Sequence, residues 1–322
     1  MTPTYRAMLC RRLGPPDGLE LTALPRRALR PGEVRVAVHA SGVNFPDLLQ
    51  IAGEYQHKPP LPFVPGFEAA GEIVEIAADV AGWRVGDAAI LRGRAGYAEE
   101  IVAPAATLLP KPADWSWEEA AAFPVAAATA WTALHWRGRL RAGETLLVLG
   151  AGGGTGLAAV AFGAQAGAHV VAVASSAEKR AAALAAGAAA TIDPATADWA
   201  RHIQADAVFD PVGGALFDTA WRALKPGGRW LVIGFAAGGI PHLPANRLLL
   251  KEAELIGVRA GEQARRDPQA ALALDAALRG WLVGGERRRP LVGAVYRLDE
   301  AATALRQLAE RKAIGKLVLR AG

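Results

Sequence analysis

The chain has 322 residues, of which 52% are hydrophobic and 21% are charged, and its formal net charge is +5 at pH 7. This length predicts two domains, and this composition excludes an intrinsically disordered chain. Basic residues are interspersed with acidic ones, and the densest basic run, Glu286–Pro290, is expected to be a solvated loop. We therefore expect no nucleic-acid partner, because such a site needs a larger basic patch. The positive excess suits a small anionic ligand.

Cysteine content and hydropathy indicate the cellular compartment in which the protein is expected. Cys10 is the only cysteine, which excludes an internal disulfide framework. The N-terminal segment has no apolar signal core, so a cytoplasmic location is expected. Residues 145–177 contain no Asp, Glu, Lys or Arg and are long enough to cross a bilayer. However, a glycine cluster, Gln165 and His169 interrupt this segment, so we expect a buried strand–helix–strand unit and no membrane partner.

The first hundred residues predict a mostly β domain. Three segments mix apolar and polar residues as strands do, namely Val34–Ser41, Gly71–Ala77 and Tyr97–Ala103. Turns rich in glycine and proline separate them, which is typical of short strands joined by tight connections.

From about Trp115 the sequence becomes alanine-rich and helical, with an interruption at Pro124. Ser116 and Glu119 have the spacing of a helix capping box. A helix is therefore expected to begin just after Ser116.

The middle of the chain predicts a doubly wound α/β domain. Buried strands alternate with helices, and the strands are expected at Thr145–Gly150, His169–Ala174, Ala205–Gly214, Gly227–Phe235 and Ala253–Val258. Continuous apolar strands in this alternation predict a parallel sheet that is covered on both faces. The tail adds helices at Pro268–Leu282 and Asp299–Lys312 and a last strand at Lys316–Leu319.

A glycine-rich turn follows the first of these strands, within the stretch ETLLVLGAGGGTG. Gly150, Gly153 and Gly156 are three residues apart, but Thr155 occupies the last glycine position of the usual G-x-G-x-x-G pattern. A strand, a glycine turn and a helix in this order place unsatisfied N–H groups at the turn, where they favour a phosphate. The turn therefore predicts a dinucleotide site, and the alternative is a tight turn that binds nothing.

The end of the next strand indicates which dinucleotide is bound. An NAD site usually carries Asp or Glu there, to hold the ribose hydroxyls. Here Ser175 and Ser176 take that place, with Lys179 and Arg180 just downstream. Hydroxyls and cations suit a 2′-phosphate, so the sequence favours NADPH. The alternative is that a serine caps the following helix and the basic residues are solvated.

Several segments carry a resemblance, namely Ala40–Tyr55, Leu61–Ala77, Phe123–Leu134, Gly150–Gly156, Val208–Gly214, Gly228–Pro241 and Ile314–Leu319. Together they resemble one family, the zinc-independent medium-chain reductases of the NADPH:quinone oxidoreductase type, which are related to zeta-crystallin. The resemblance implies a GroES-like, mostly β catalytic domain at residues 1–122 plus 263–322. It also implies a Rossmann NADPH-binding domain, with a doubly wound parallel sheet, at residues 123–262.

The resemblance further implies that the enzyme uses no zinc. Related zinc alcohol dehydrogenases carry a cysteine at the position of Asn44 and a histidine at the position of Phe67. Catalytic zinc needs three protein ligands, and neither an asparagine nor a phenylalanine supplies the missing thiolate and imidazole. Glu68 is present, but one carboxylate does not make a zinc site.

By resemblance, Asn44 and Tyr55 line the catalytic cleft, and Thr129 lies against the nicotinamide. Each residue also has a plain alternative: a turn residue, a surface aromatic and an ordinary helix residue, respectively. Hydrogen-bond donors in such a cleft would stabilise the negative charge that collects on the acceptor's carbonyl oxygen.

Cofactor-binding residues are also implied. Gly152, Gly153, Gly154 and Thr155 match the family's pyrophosphate turn. The remaining matches are Gly234 and Phe235 beside the nicotinamide and Arg311 near the phosphates. Pro194 departs from the pattern, because some relatives place a tyrosine there against the adenosine.

The sequence thus predicts a reductase of quinones or activated alkenes. A 2-alkenal or enoyl-thioester reductase on the same scaffold is an alternative, and a non-catalytic NADPH-binding protein is another. The resemblance also implies a homodimer, joined through the sheet edge near Ala253–Val258.

Overall fold

The computed structural model describes residues 3–284 and 288–322, so the predicted solvated loop at Glu286–Pro290 lies partly outside the described residues. The strands are β1 (Thr4–Cys10), β2 (Leu19–Pro25), β3 (Glu33–Val43), β4 (Glu68–Ile76), β5 (Ala88–Arg92), β6 (Glu100–Pro104), β7 (Leu109–Pro110), β8 (Thr145–Leu149), β9 (His169–Val173), β10 (Ala190–Ile192), β11 (Ala205–Asp210), β12 (Leu224–Val232), β13 (Glu254–Gly257), β14 (Val292–Arg297) and β15 (Lys316–Arg320).

The α-helices are α1 (Phe45–Ala52), α2 (Trp117–Ala121), α3 (Pro124–Trp131), α4 (Gly154–Gln165), α5 (Ala177–Ala185), α6 (Ala215–Ala220), α7 (Ala245–Lys251), α8 (Ala260–Arg266), α9 (Pro268–Val283) and α10 (Ala301–Ala309). A π-helical turn, Thr132–Arg137, continues α3. Two compact units are present, one formed by Met1–Val125 with Arg279–Gly322 and the other by Ala126–Leu278.

The first unit is mostly β. Its main sheet has the order β14-β15-β3-β4-β5-β7, and β6 also pairs with β3. All of these pairs are antiparallel except β14 with β15, while β1 and β2 form a separate hairpin. Val34, Val36 and Val38 of β3 are buried and pack with Ile73 of β4 in one core cluster. Their alternation follows from the two-residue period of a strand.

The second unit is built on a parallel sheet with the order β10-β9-β8-β11-β12-β13. Residues 146–149 of β8 are completely buried, as expected for a central strand covered by helices on both faces. The chain reverses its direction of winding between β8 and β11. The carboxyl ends of these two strands therefore form the switch point at which such sheets bind ligands.

Several local predictions are confirmed. Ser116 Oγ accepts a hydrogen bond from the Glu119 N–H at 3.1 Å, and Glu119 Oε2 accepts one from the Ser116 N–H at 2.7 Å, so α2 begins with the predicted capping box. The helical stretch is interrupted at Pro124, which begins α3.

One unit is mostly β and the other is built on a parallel sheet, so the predicted α/β fold class, with one mostly β domain and one doubly wound domain, is confirmed. Some boundaries differ from the predicted ones: β6 begins at Glu100, because the preceding residues 97 and 98 bond to β1 and to the loop before β4. The domain limits 122/123 and 262/263 stay predictions, and α9 runs across the second limit of the two compact units.

Candidate active site

The glycine turn after β8 is held in place by contacts that only glycine permits. Gly150 has φ of 63°, in the left-handed region. A Cβ atom on Gly156 would lie 2.3 Å from the Gly150 carbonyl oxygen, so α4 can approach the turn only because residue 156 is a glycine. The nearest atom to a Cβ on Gly153 would be that same oxygen, at 3.8 Å. A Cβ atom at residue 153 would therefore make only an ordinary van der Waals contact with that oxygen.

This turn fits the pyrophosphate of a dinucleotide. Gly153 is the N-cap of α4, and the helix begins at Gly154, followed by Thr155. The first N–H groups of a helix have no partner within it and carry partial positive charge. The predicted set Gly152, Gly153, Gly154 and Thr155 thus lies at one helix N-terminus at the switch point of the sheet.

The residues after β9 divide into two roles. Ser176 is the N-cap of α5, and its Oγ accepts a hydrogen bond from the Lys179 N–H at 3.3 Å. Arg180 donates to the Ala174 carbonyl at 3.0 Å and to Asp193 Oδ2 at 2.9 Å. Helix capping by Ser176, which was the plain alternative, is therefore present, and Arg180 is ion-paired.

Ser175 and Lys179 are the predicted 2′-phosphate contacts, and they are placed differently from Ser176 and Arg180. Ser175 is exposed. The aliphatic part of Lys179 lies over Gly152, since a Cβ on that glycine would be 2.5 Å from Lys179 Cβ and Cγ. The lysine thus covers one end of the glycine turn, on the side of β9 where a dinucleotide carries its adenosine ribose.

A loop after β11 forms the other side of the switch point. Asp210 Oδ1 accepts hydrogen bonds from the N–H groups of Val212 at 2.8 Å and Gly213 at 2.9 Å. Burial raises the pKa of Asp210, while these two N–H groups act in the opposite direction. Gly213 and Gly214 have φ of 62° and 58°. Asp210 therefore fixes this loop, a role that sequence reasoning missed although Asp followed by Pro and Gly is a turn signal.

Gly234 and Phe235, which follow β12, lie against that loop. The N–H of Ala236 donates to the Pro211 carbonyl at 3.1 Å. A Cβ on Gly213 would be 3.0 Å from Phe235 Cδ1, so the half-exposed ring covers this glycine. The predicted nicotinamide residues thus belong to a pair of loops that are bonded to each other. Thr129 is half-buried in α3 of the same unit.

A buried polar cluster in the first unit contains Asn44. Lys316 Nζ donates to three acceptors: the Val43 carbonyl at 3.1 Å, Asn44 Oδ1 at 2.6 Å and Glu68 Oε1 at 2.5 Å. Asn44 Nδ2 donates to Glu68 Oε1 at 2.8 Å and to the Gly42 carbonyl at 3.3 Å. We call Asn44, Glu68 and Lys316 the amide–ion cluster.

Glu68 is enclosed on its other side as well. Its Oε2 accepts from the Val125 N–H at 2.8 Å. A Cβ on Gly42 would be 2.2 Å from Glu68 Oε1, so only glycine leaves room for this carboxylate. Glu68 and Lys316 are 1% and 5% exposed, which makes them a desolvated ion pair held by hydrogen bonds on several sides.

Asp47 lies beside this cluster, in the first turn of α1. Its Oδ2 accepts from the Asn44 N–H at 2.7 Å and from the Tyr97 hydroxyl at 2.8 Å. Among the described residues, its Oδ1 has no hydrogen-bond partner. Burial raises the pKa of Asp47 to about 7, and burial together with the Asp47 charge raises the pKa of Tyr97.

Tyr55 follows the other end of α1, which ends at Gly53 in the left-handed region. Its half-buried ring meets Phe67 edge to face, with 5.8 Å between the ring centroids. Asn44 and Tyr55 therefore flank α1, and their partners Glu68 and Phe67 are adjacent in the chain. Arg311 is exposed, with φ of 59°, in the turn between α10 and β15.

Residues 3–284 and 288–322 contain no group of three or more His, Cys, Asp or Glu side chains that is arranged to hold a metal ion. Asn44 and Phe67 stand where related zinc alcohol dehydrogenases carry a cysteine and a histidine, and Asn44 Oδ1 accepts a hydrogen bond from the Lys316 ammonium. Within the same ranges, no helix is long and apolar enough to span a membrane.

Comparison with known proteins agrees with this architecture. Residues 30–113 match the alcohol dehydrogenase GroES-like domain family, and residues 154–276 match the zinc-binding dehydrogenase family. Quinone oxidoreductase-like protein 2 of Bos taurus is 37% identical, over 98% of this chain and 92% of that protein. A synaptic vesicle membrane protein VAT-1 homolog of Rattus norvegicus is 30% identical, over 98% of this chain and 84% of that protein.

A solved structure is similar along the whole chain. The quinone oxidoreductase of Thermus thermophilus, also known in complex with NADPH, is 35% identical with a TM-score of 0.83. The match covers 98% of this chain and 99% of that one. The chain therefore belongs to the quinone oxidoreductase family of the medium-chain dehydrogenases/reductases.

Proposed function

We propose that the chain is an NADPH-dependent reductase that uses no zinc and transfers hydride to a quinone or another α,β-unsaturated carbonyl compound. The observation that carries the proposal is the amide–ion cluster. Where zinc-dependent relatives need a thiolate, this chain has an amide bonded to Lys316 and Glu68. Without a Lewis acid, the acceptor must already be electrophilic, which describes a quinone or a conjugated C=C bond.

NADPH is the cofactor that the nucleotide site supports. The glycine turn offers bare N–H groups for a pyrophosphate, and no acidic residue follows β9 before Glu178. Lys179 lies across the turn, where its ammonium can neutralise a 2′-phosphate. The similar Thermus thermophilus protein is known with NADPH, which supports the same choice.

The chemistry follows from these parts. When bound, NADPH supplies a hydride to the electrophilic carbon of the acceptor. Negative charge then collects on the conjugated carbonyl oxygen, and a proton from water completes the reduction. Donors that are already oriented toward that oxygen lower the barrier, and we assign this role to Asn44 and Tyr55. Thr129, Gly234, Phe235 and Arg311 are assigned to the cofactor.

Two alternatives remain distinct. A 2-alkenal or enoyl-thioester reductase would use the same donors with a different acceptor pocket. A non-catalytic NADPH-binding protein is the other alternative, and one relative carries a name, synaptic vesicle membrane protein VAT-1 homolog, that states no enzymatic activity.

We also propose that the protein is a cytoplasmic homodimer joined through β13. This strand is the last in its sheet, and Leu255 on it is exposed. Leu249 and Leu250, just before it, are both 77% exposed. An unpaired edge with neighbouring apolar side chains is suited to pairing with a second copy.

A steady-state assay tests the function. Purified protein is supplied with NADPH or NADH and with a quinone, a 2-alkenal or an enoyl thioester as acceptor. We expect turnover with at least one acceptor and a lower KM for NADPH than for NADH. Tight NADPH binding without turnover of any acceptor would favour a non-catalytic NADPH-binding protein over a reductase.

A further inference from the structure

The amide of Asn44 can face its neighbours in two orientations, and the amide–ion cluster permits only one. Oδ1 lies 2.6 Å from the Lys316 ammonium, and Nδ2 lies 2.8 Å from Glu68 Oε1. Rotating the amide by half a turn would place NH₂ against the ammonium and oxygen against the carboxylate. Both contacts would then be repulsive, since an ammonium only donates and a carboxylate only accepts hydrogen bonds.

The Lys316 ammonium is itself fixed. Its three N–H donors meet three acceptors, the Val43 carbonyl, Asn44 Oδ1 and Glu68 Oε1. Glu68 is fixed in turn by the Val125 N–H and by the absence of a side chain at Gly42. The Asn44 backbone is anchored separately, because its N–H donates to Asp47 Oδ2. Neither the amide nor its partners can therefore adjust without breaking a buried contact.

One hydrogen of this amide is held more weakly than the other. Nδ2 is 2.8 Å from Glu68 Oε1 but 3.3 Å from the Gly42 carbonyl, beyond the usual range for an N–H···O hydrogen bond. An acceptor oxygen can compete for this second hydrogen. The acceptor oxygen does not meet Asn44 Oδ1 at this position, because Oδ1 is held by its hydrogen bond from the Lys316 ammonium.

We infer that Lys316 and Glu68 are positioning residues that lock the Asn44 amide as a hydrogen-bond donor toward the carbonyl oxygen of the acceptor. This inference rests on the proposed function, and it explains how the Asn44 amide can act as a hydrogen-bond donor to the acceptor. A free asparagine could present its oxygen and repel the developing negative charge. The locked asparagine presents an N–H that the neighbouring carboxylate keeps oriented before the acceptor arrives.

A double-mutant cycle tests the lock. Glu68→Gln and Lys316→Gln each replace a charge by an amide that can donate or accept, so each removes the preference for one orientation. We expect either variant to lower kcat about 100-fold, as for loss of one oxyanion donor, with the Kd for NADPH within about twofold. In an Asn44→Ala background, the same substitutions are expected to change kcat by less than about twofold.

Tyr97→Phe is the matched control. It removes one buried oxygen from the same region, and that oxygen contacts Asp47, not the Asn44 side chain. We expect its kcat to stay within about threefold of the parent. If Glu68→Gln lowered kcat as much in the Asn44→Ala background as in the parent, the inference would be overturned. The loss of kcat would then not depend on the Asn44 amide.

A second measurement needs no turnover. The side-chain NH₂ hydrogens of Asn44, followed by NMR, are expected to exchange with solvent at least about tenfold more slowly in the parent than in Glu68→Gln. Equal rates would overturn the lock. If the parent reduces no acceptor, the proposed function fails while this comparison still decides the lock, so the two failures are distinguishable. Should Lys316→Gln not fold, Glu68→Gln carries both measurements.

Discussion

Replacing Asp47 with asparagine is expected to remove much of the pH dependence of the free energy of unfolding. The Asp47 carboxyl is completely buried, and burial is the main reason why its pKa rises from 3.8 to about 7. The Asn44 N–H, the Tyr97 hydroxyl and the charge of Lys316 act in the opposite direction without cancelling the effect. In the folded chain, Asp47 therefore keeps its proton until the pH nears neutrality.

The sign follows from proton binding in the two states. In the unfolded chain the carboxyl loses its proton near its ordinary pKa of 3.8. Between that pKa and about 7 the folded state binds more protons, so the free energy of unfolding falls as the pH rises, and the contribution of Asp47 to it is fully lost above the folded pKa. A shift of about 3 units corresponds to about 4 kcal/mol, of which roughly 3 kcal/mol disappears between about pH 5 and about pH 8.

Urea unfolding of the parent and of Asp47→Asn at these two pH values measures the effect. The amide oxygen of asparagine can accept from the Asn44 N–H and the Tyr97 hydroxyl as the carboxylate oxygen does. As the pH rises, we expect the free energy of unfolding of the parent to fall by roughly 3 kcal/mol more than that of the variant. Equal losses in the two proteins would show that a group other than Asp47 causes the pH dependence.

Three further predictions concern the second unit. Lys179→Ala is expected to raise the KM for NADPH about tenfold and leave that for NADH nearly unchanged, as for loss of one charge-assisted hydrogen bond; equal changes in steady-state assays would exclude a 2′-phosphate contact. Gly156→Ala forces a Cβ to within 2.3 Å of the Gly150 carbonyl and is expected to cost about 1–3 kcal/mol in thermal unfolding. Gly153→Ala is the matched control, because its Cβ would lie 3.8 Å from the Gly150 carbonyl oxygen; it should weaken NADPH binding without destabilising the fold. Similar destabilisation by both substitutions would contradict the close approach of α4 to the turn at Gly156. Leu255→Lys places a charge on the β13 edge and is expected to give a monomer by light scattering; an unchanged mass for a dimeric parent would move the interface elsewhere.

Patterns that are local in sequence predicted the second unit well. Five apolar strands separated by helices gave the parallel sheet, and the glycine spacing placed the turn at the N-terminus of α4. Ser116 and Glu119 form their capping box because both partners lie within one helical turn. Such signals depend on neighbours within a few residues, so they can be read without a structure. The short strand β10 was missed, because Ala190–Ile192 is too brief to show a strand pattern.

The amide–ion cluster could not be predicted in this way. Lys316 lies 272 residues from Asn44 and 248 from Glu68, and each residue on its own is typical of a turn, a strand start or a surface. Only the antiparallel pairing of β15 with β3, and of β3 with β4, brings the three together. The resemblance indicated Asn44 as a catalytic residue but gave no reason for its orientation. That reason comes from partners that are distant in the chain.

In the proposed reaction, hydride passes from NADPH to an activated acceptor without a metal. The most direct test is NADPH oxidation by protein that has been dialysed against a chelator, with the zinc content measured in the same sample. We predict turnover of a quinone or enone at an unchanged rate with far less than one zinc per chain. If chelation abolished the activity and added zinc restored it, or if the protein oxidised NADPH with none of the acceptors, metal-free hydride transfer would be wrong.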